Sequence, residues 1–236
     1  MNRENLLFGC IGLLLGLIVG FVGSNYMNRS SAPAVGSLAT DQTALPENHP
    51  SIDGQTETAM IADVQATLEL ADQEPDNFDA QVKAGEMFFR IRRFDEAVKY
   101  YTRASELRPD DRQVMVNLGN VNFDAERLEE AEKWYAAALE KKADDVTVRT
   151  DMGLTFLLRK PKDIDRAIAE FNKSLEYDPK HALTLQNLVV AYTEARNFEK
   201  ANETVQRLEE ADPGNAVIPK LKESISKAAA NGQGAG

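Results

Sequence analysis

A fixed spacing governs the back half of this chain. From Gly85, steps of 34, 34 and 36 residues land on Gly119, Gly153 and Val189. The residue before each is Ala84, Leu118, Met152 or Leu188, and three residues after each stand Phe88, Asn122, Phe156 and Tyr192. The same spacing finds Phe94, Leu128, Ile164 and Phe198, then Ala97, Ala131, Ala167 and Ala201. It continues through Tyr101, Tyr135, Phe171 and Val205 to Pro109, Ala143, Pro179 and Pro213. Periods of this length belong to supersecondary units that cannot bury an apolar face alone and must stack. Each period holds two stretches of helical spacing, about fourteen residues long, broken by a short polar turn such as Arg92-Arg93 or Glu126-Arg127. Small residues at Gly85 and Ala97 predict that the two helices cross closely. The prolines end the second helix, because proline lacks the N–H and clashes with the preceding turn.

This punctuation over residues 78–215 resembles the tetratricopeptide repeat. The resemblance implies an all-α solenoid of four helical hairpins, 78–111, 112–145, 146–181 and 182–215, with a concave and a convex side. Two further apolar stripes flank it: Met60, Ile61, Val64, Leu68 and Ala71 before, and Val217, Ile218, Leu221 and Ile225 after. They predict capping helices over 55–77 and 216–230 that cover the open ends of the array. Residues 231–236 read as a disordered tail. Four departures from the pattern carry expectations. Two extra residues around Lys160-Pro161-Lys162 lengthen a surface turn, and Ala143 in place of proline predicts that its helix runs on or frays. Val189 at a small-residue position predicts a looser crossing, and Asn122 at an aromatic position predicts a weaker second unit.

The front of the chain is of another kind. After a short flank, 1–5, Leu6 to Gly23 holds no charged side chain, and at 1.5 Å per residue it makes roughly 27 Å of helix, enough for a hydrocarbon core. Tyr26 and Arg29 follow at interface depth. Arg3 is offset by Glu4 and Val22-Gly23-Ser24 is only a passable cleavage site, so the segment reads as an uncleaved transmembrane anchor rather than a signal peptide. The folded mass follows it, which predicts a single-pass protein with its amino terminus cytoplasmic and its body periplasmic or otherwise extracytoplasmic. Gly12, Gly16 and Gly20 line one face of the anchor at a spacing that lets two helices approach, predicting a homodimer through it. Residues 24–54, rich in Ser, Ala, Pro, Asn, Thr and Gly, read as a flexible linker.

Charge and composition narrow the chemistry. Formal net charge is −11, which argues against nucleic acid as a partner. Most of that charge lies between Arg29 and Lys83, a stretch with ten carboxylates and no Lys or Arg. One cysteine and two histidines exclude an internal disulfide framework and leave no zinc-ligand set. His49 falls in the linker and His181 in a turn, neither beside a nucleophile on a strained elbow. No glycine-rich phosphate loop is present. Asp110-Asp111 and Asp144-Asp145 open helices, where carboxylates favour the positive end. No metal, cofactor or enzymatic activity is expected.

In proteins that this sequence resembles, the first helix of each unit lines the concave groove. That selects Val82, Glu86, Phe89 and Arg90, then Val116, Asn117, Asn120 and Phe123. The third unit supplies Thr150, Asp151, Leu154, Leu157 and Leu158, and the fourth Gln186, Asn187, Val190, Thr193 and Glu194. Steps of three and four keep each set on one helix face. The Lys, Arg and Asn clamp by which chaperone-tail receptors of the family hold a carboxylate is absent, with Val82, Val116, Thr150 and Gln186 in its places. The apolar members instead predict a partner that is an apolar or amphipathic protein segment. The amides of Asn117, Asn120 and Asn187 are donors and acceptors for its backbone. The resemblance extends to membrane-anchored envelope proteins, implying a scaffold in envelope assembly such as cytochrome c maturation or secretion-channel work. The alternatives are a structural oligomeric spacer whose groove takes no ligand, and an accessory domain of an enzyme complex.

Overall fold

The computed structural model describes residues 54–233, with side chains from Val64 to Asn231. Among these residues every element is helical. α1 spans Gly54–Gln73, α2 Phe78–Arg90, α3 Phe94–Leu107, α4 Arg112–Asp124 and α5 Leu128–Lys141. α6 spans Val146–Leu158, α7 Ile164–Tyr177, α8 Ala182–Glu194, α9 Phe198–Ala211 and α10 Ile218–Gln233. Each neighbour in sequence packs on the next, so α2/α3, α4/α5, α6/α7 and α8/α9 form four stacked hairpins. The proposed anchor, with Gly12, Gly16 and Gly20, and the linker lie outside the described residues. No helix among the described residues is long and apolar enough to cross a membrane.

Local chemistry sets the helix ends. Asn77, Asp111 and Asp145 cap α2, α4 and α6, each accepting the backbone N–H three residues on at 3.0–3.1 Å. The turns inside the first, second and fourth hairpins are Schellman-type. Arg93 N–H donates to Phe88 O, Arg127 N–H to Asn122 O and Asn197 N–H to Tyr192 O. The pivot of each turn has φ near +60°, and it is Arg92, Glu126 or Arg196 rather than glycine. The third hairpin, two residues longer, turns differently. Asp163 N–H donates to Phe156 O at 2.9 Å, and the Arg159 guanidinium pairs with both Asp163 and Glu132 of α5.

The close crossing has a specific partner in each hairpin. A Cβ on Gly85, Gly119 or Gly153 would sit 2.4–2.7 Å from the ring of Tyr101, Tyr135 or Phe171. Glycine is required there because the ring of the second helix fills the space. In the fourth hairpin both sides change together: Val189 and Val205 are each fully buried. Val205 thus stands at the register position that Tyr101, Tyr135 and Phe171 hold in the other hairpins, and neither valine is left open to solvent.

One expectation is corrected. α5 does not run on or fray without a proline at 143. It stops at Lys141, and Lys142 takes φ −147° and ψ 91°, close to Arg108, Asp178 and Asp212 at the ends of α3, α7 and α9. Polar contacts replace the ring: Arg149 Nη2 donates to Ala143 O at 2.8 Å, while Asp145, the cap of α6, is held by Arg112. Asn122 is buried, but its Nδ2 donates to Leu118 O at 2.7 Å, which offsets part of the cost of burying its amide.

Both ends are covered. Leu68 and Ala71 of α1 pack on the first core cluster, which includes Ala84, Phe88, Ala97 and Tyr101. Gln81 Nε2 donates to Ala71 O at 2.6 Å and Tyr100 Oη to Asp72 Oδ1 at 2.9 Å, tying α1 to α2 and α3. Val64, earlier in the same stripe, is 41% exposed. At the other end Ile218, Leu221 and Ile225 are buried as α10 packs on both α8 and α9.

Candidate functional site

The groove residues divide into two groups. On α2, Val82 and Phe89 are half-buried and Glu86 and Arg90 exposed; on α4, Val116, Asn117, Asn120 and Phe123 are all half-buried. These two helices thus present apolar side chains interleaved with amides and one charge of each sign. Asn120 Oδ1 accepts from Tyr135 Oη at 2.9 Å and Asn117 Oδ1 from Gln113 Nε2 at 3.0 Å. Each asparagine keeps its Nδ2 as a donor. Phe89 is steadied by Phe94, ring centroids 6.1 Å apart.

On α6 and α8 the expectation fails for five residues. Leu154 and Leu157 are each 1% exposed and Asn187 is 5% exposed. α6 packs directly on α8, and α8 in turn on α10, and part of the face expected to line a groove is closed over. Leu154 and Leu157 are core, and Asn187 is a buried amide whose Nδ2 has no hydrogen-bond partner. Thr150 and Gln186 are buried with them, while Asp151, Leu158, Val190, Thr193 and Glu194 are half-buried.

A polar cluster at this seam has little trace in the sequence. Thr150 Oγ1 lies 2.6 Å from Thr184 Oγ1 and 3.1 Å from Ser174 Oγ, all three fully buried. Thr150 and Ser174 also donate to Val146 O at 2.7 and 3.0 Å, and His181 Nδ1 lies 2.7 Å from Thr184 Oγ1. The one available sign is Ser174, which stands where Ala104 and Ala138 occupy the same place in earlier hairpins. The hydroxyls have no access to solvent, so the imidazole–hydroxyl pair serves packing. Among the described residues no group of three or more His, Cys, Asp or Glu side chains could hold a metal ion.

Two ionisable groups are displaced. Burial, and then the hydrogen bond to Asp72, pushes the Tyr100 phenol up to about 12. Burial also raises the Asp124 carboxyl above the usual range, with Arg92 partly offsetting it. Asp124 closes α4, directly after Phe123.

Comparison with known proteins agrees with this architecture. Models of the tetratricopeptide repeat match residues 61–104 and 82–146, and a second such model matches 158–225. The chain belongs to the tetratricopeptide-repeat family. Among curated proteins no relative matches by sequence. Solved structures do. MamA from Desulfovibrio magneticus, residues 41 to the end, is 15% identical with a TM-score of 0.61, over 69% of this chain and 90% of that one. PilW, a type IV pilus biogenesis factor, is 19% identical with a TM-score of 0.61, over 76% of this chain and 81% of that one. A tetratricopeptide repeat protein from Parabacteroides merdae is 16% identical with a TM-score of 0.60, over 65% of this chain and 60% of that one. At these identities the likeness is one of fold.

Proposed function

We propose that this protein is a non-enzymatic scaffold that binds a segment of another protein across α2 and α4. One observation carries the reading. Val82, Phe89, Val116 and Phe123 keep accessible apolar surface beside the free amide donors of Asn117 and Asn120. Val82 and Phe89 also pack on the first core cluster, but on their open faces, and on those of Val116 and Phe123, an apolar or amphipathic segment would bury its side chains and bond its backbone to the amides. Val190 extends the row only weakly, because its neighbours are closed over. With Leu6–Gly23 as a single anchor, the array would stand outside the cytoplasm and serve assembly of an envelope complex, as PilW serves pilus biogenesis. Gly12, Gly16 and Gly20 would pair two such anchors.

The test places a photo-crosslinking phenylalanine analogue at Phe123 and, separately, at Tyr177, which is exposed on α7. A discrete protein adduct from position 123 and none from 177 is expected. Phe123→Glu should then abolish recovery of the same protein while lowering the melting temperature by no more than about 2–4 °C. Absence of an adduct at 123 would leave a structural spacer as the better reading. Export is read independently by a reporter fused after Gly236 that is active only outside the cytoplasm.

A further inference from the structure

The turns of the array fall on two opposite edges, and their charges differ. Inside the hairpins, residues 91–93, 125–127, 159–163 and 195–197 hold seven Lys or Arg and two carboxylates. Outside them, residues 74–77, 108–111, 142–145, 178–181 and 212–217 hold three Lys or Arg and eight carboxylates. Helix dipoles do not account for the split, because each hairpin brings one helix start and one helix end to each edge. Capping explains part of the acidic edge but not the basic one. Arg93 and Arg127 stand at the N-caps of α3 and α5 without a side-chain cap bond, although a cation is unfavourable at that end. Arg92 and Arg196 take φ near +60°, where glycine would be unstrained. Four arginines thus hold positions that local stability alone would give to other residues. Part of this charge is engaged. Arg93 pairs with Glu96, Arg127 with Asp95, Lys162 with Glu194, and Arg159 with Asp163 and Glu132, while Arg92 lies over the Phe94 ring and interacts with Asp124. Carboxylates also occupy the first turns of α3, α5, α7 and α9, within the helices behind the tips. Arg90, Lys160 and Arg196 are exposed and, among the described residues, form no ion pair. Between Arg90 and Arg92 stands Ile91, 63% exposed, the most exposed large apolar side chain among the described residues.

We propose that the inner-turn edge docks on an anionic phospholipid surface, with Ile91 entering the headgroup layer between Arg90 and Arg92 and the cations of the later turns facing lipid phosphates. Three features favour a bilayer over an acidic protein segment. The unpaired cations are spread over the first, third and fourth hairpins, where an extended charged surface meets them together. An aliphatic side chain at a turn tip gains by leaving water for the acyl boundary, while the arginines on either side stay at headgroup depth. The chain also enters the array on this edge. α1 is joined to α2 by residues 74–77 and so runs antiparallel to it, and with 20 residues to 13 its start carries past the end of α2. The acidic edge, repelled by the same lipids, would face away. This docking is separate from the groove, which lies on the faces of α2 and α4 rather than at their ends.

The test uses the full chain reconstituted into vesicles of equal parts phosphatidylglycerol and phosphatidylcholine, with a lipid spin-labelled at its headgroup as quencher. In a Cys10→Ser background a fluorophore is attached at Ile91→Cys and, separately, at Lys180→Cys on the acidic edge. Quenching at position 91 should exceed that at 180 about threefold. The excess should vanish in phosphatidylcholine alone, at high salt, and in the triple variant Arg90→Glu, Lys160→Glu, Arg196→Glu. Equal quenching at the two positions, the result if these turns hold an acidic protein instead, would overturn the proposal. So would an excess at 91 that ignores lipid charge and salt, since the fluorophore alone would then be entering the bilayer. The lipid and salt comparisons keep the native charges, so a poorly folded triple variant does not blunt them. Flotation at high salt reads the anchor separately: a chain that stays with the vesicles but shows no excess at 91 keeps the anchor and loses the docking edge.

Discussion

In α2 and α4 every residue of the face at three- and four-residue spacing keeps some access to solvent, whereas half of the same face of α6 and α8 is interior. The backbone plan is common to both halves, with carboxylate or amide caps on α2, α4 and α6 and a hairpin partner behind each. Two things differ. Where the first half has Glu86 and Asn120, the second has Leu154 and Val190. The second half also has additional neighbours, since α6 meets α8 and α8 meets α10. A repeat register therefore assigns a residue to a face of its helix but does not decide whether that face meets water. That is decided by helices one whole unit away, and at the end of the array by the cap.

The sharpest way to break this comparison is to place the same charge on both halves. Leu157→Glu buries a carboxylate with no partner and should destabilise by about 4 kcal/mol or more. Phe123→Glu, at a half-buried surface position, should change stability by only about 0.5–1 kcal/mol. Urea unfolding of the two variants reads the difference directly. Similar losses for both would mean that α4 is as closed as α6 and that the candidate groove does not exist.

Part of this division was legible in the sequence. Val146, Val148, Met152, Leu154, Phe156, Leu157 and Leu158 put apolar side chains all round α6, and a helix that is apolar all round is an interior helix. α4, with Asn117, Asn120 and Asn122, is not. The period, the hairpins and both capping stripes could likewise be read from spacing alone, because small, aromatic and proline residues recur where sterics demand them. Asn187 could not be placed that way. It lies on α8, which packs on both α6 and α10, contacts between distant parts of the chain that no local pattern encodes. The polar substitutes for the proline at 143 were hidden for the same reason, since Arg112 and Asp145 meet from 33 residues apart.

A second test sharpens the comparison at the helix crossings. Gly119→Val should cost about 3 kcal/mol by overpacking, since even a Cβ would lie 2.4 Å from Tyr135 Cε1. Adding Tyr135→Val installs the pair that the fourth hairpin uses, Val189 with Val205. The double variant should recover about 1 kcal/mol or more relative to the sum of the singles, even though it loses the Tyr135–Asn120 hydrogen bond. Strict additivity would mean that the two hairpins are not built on one complementary pair.

At the amino-terminal end the tie between α1 and the array should be smaller and pH-dependent. Tyr100→Phe removes the hydrogen bond to Asp72 and should cost about 1 kcal/mol near neutral pH. The phenol is raised from 10 to about 12 in the folded chain, so between those values the folded state holds a proton that the unfolded state has lost. Stability from this group is therefore complete below about pH 10 and is lost as pH rises towards 12. Melting temperature against pH should fall less steeply in that window for Tyr100→Phe than for the wild type. An unchanged slope would assign the alkaline loss to other groups.

The smallest expected effect concerns the one inter-hairpin turn that lacks its proline. Lys142 has φ −147° and ψ 91°, an extended conformation of the kind favoured before proline. Arg108, Asp178 and Asp212, which do precede prolines, lie within about 12° of it in both angles. Ala143 is exposed, and its carbonyl, which accepts from Arg149, would survive the change. Ala143→Pro should therefore restrict the unfolded chain without disturbing the folded one and stabilise by about 0.4–1 kcal/mol. The urea midpoint should rise with an unchanged slope, since no additional surface is exposed on unfolding. In an Arg149→Met background, where the carbonyl loses its donor, the same proline should still stabilise, because its effect arises in the unfolded state. A loss of stability from Ala143→Pro would mean that this turn only imitates its neighbours at Lys142 and departs from them one residue later. The boundary between the open and the closed half would then coincide with a real difference in backbone, and not only in which side chains face the neighbouring helices.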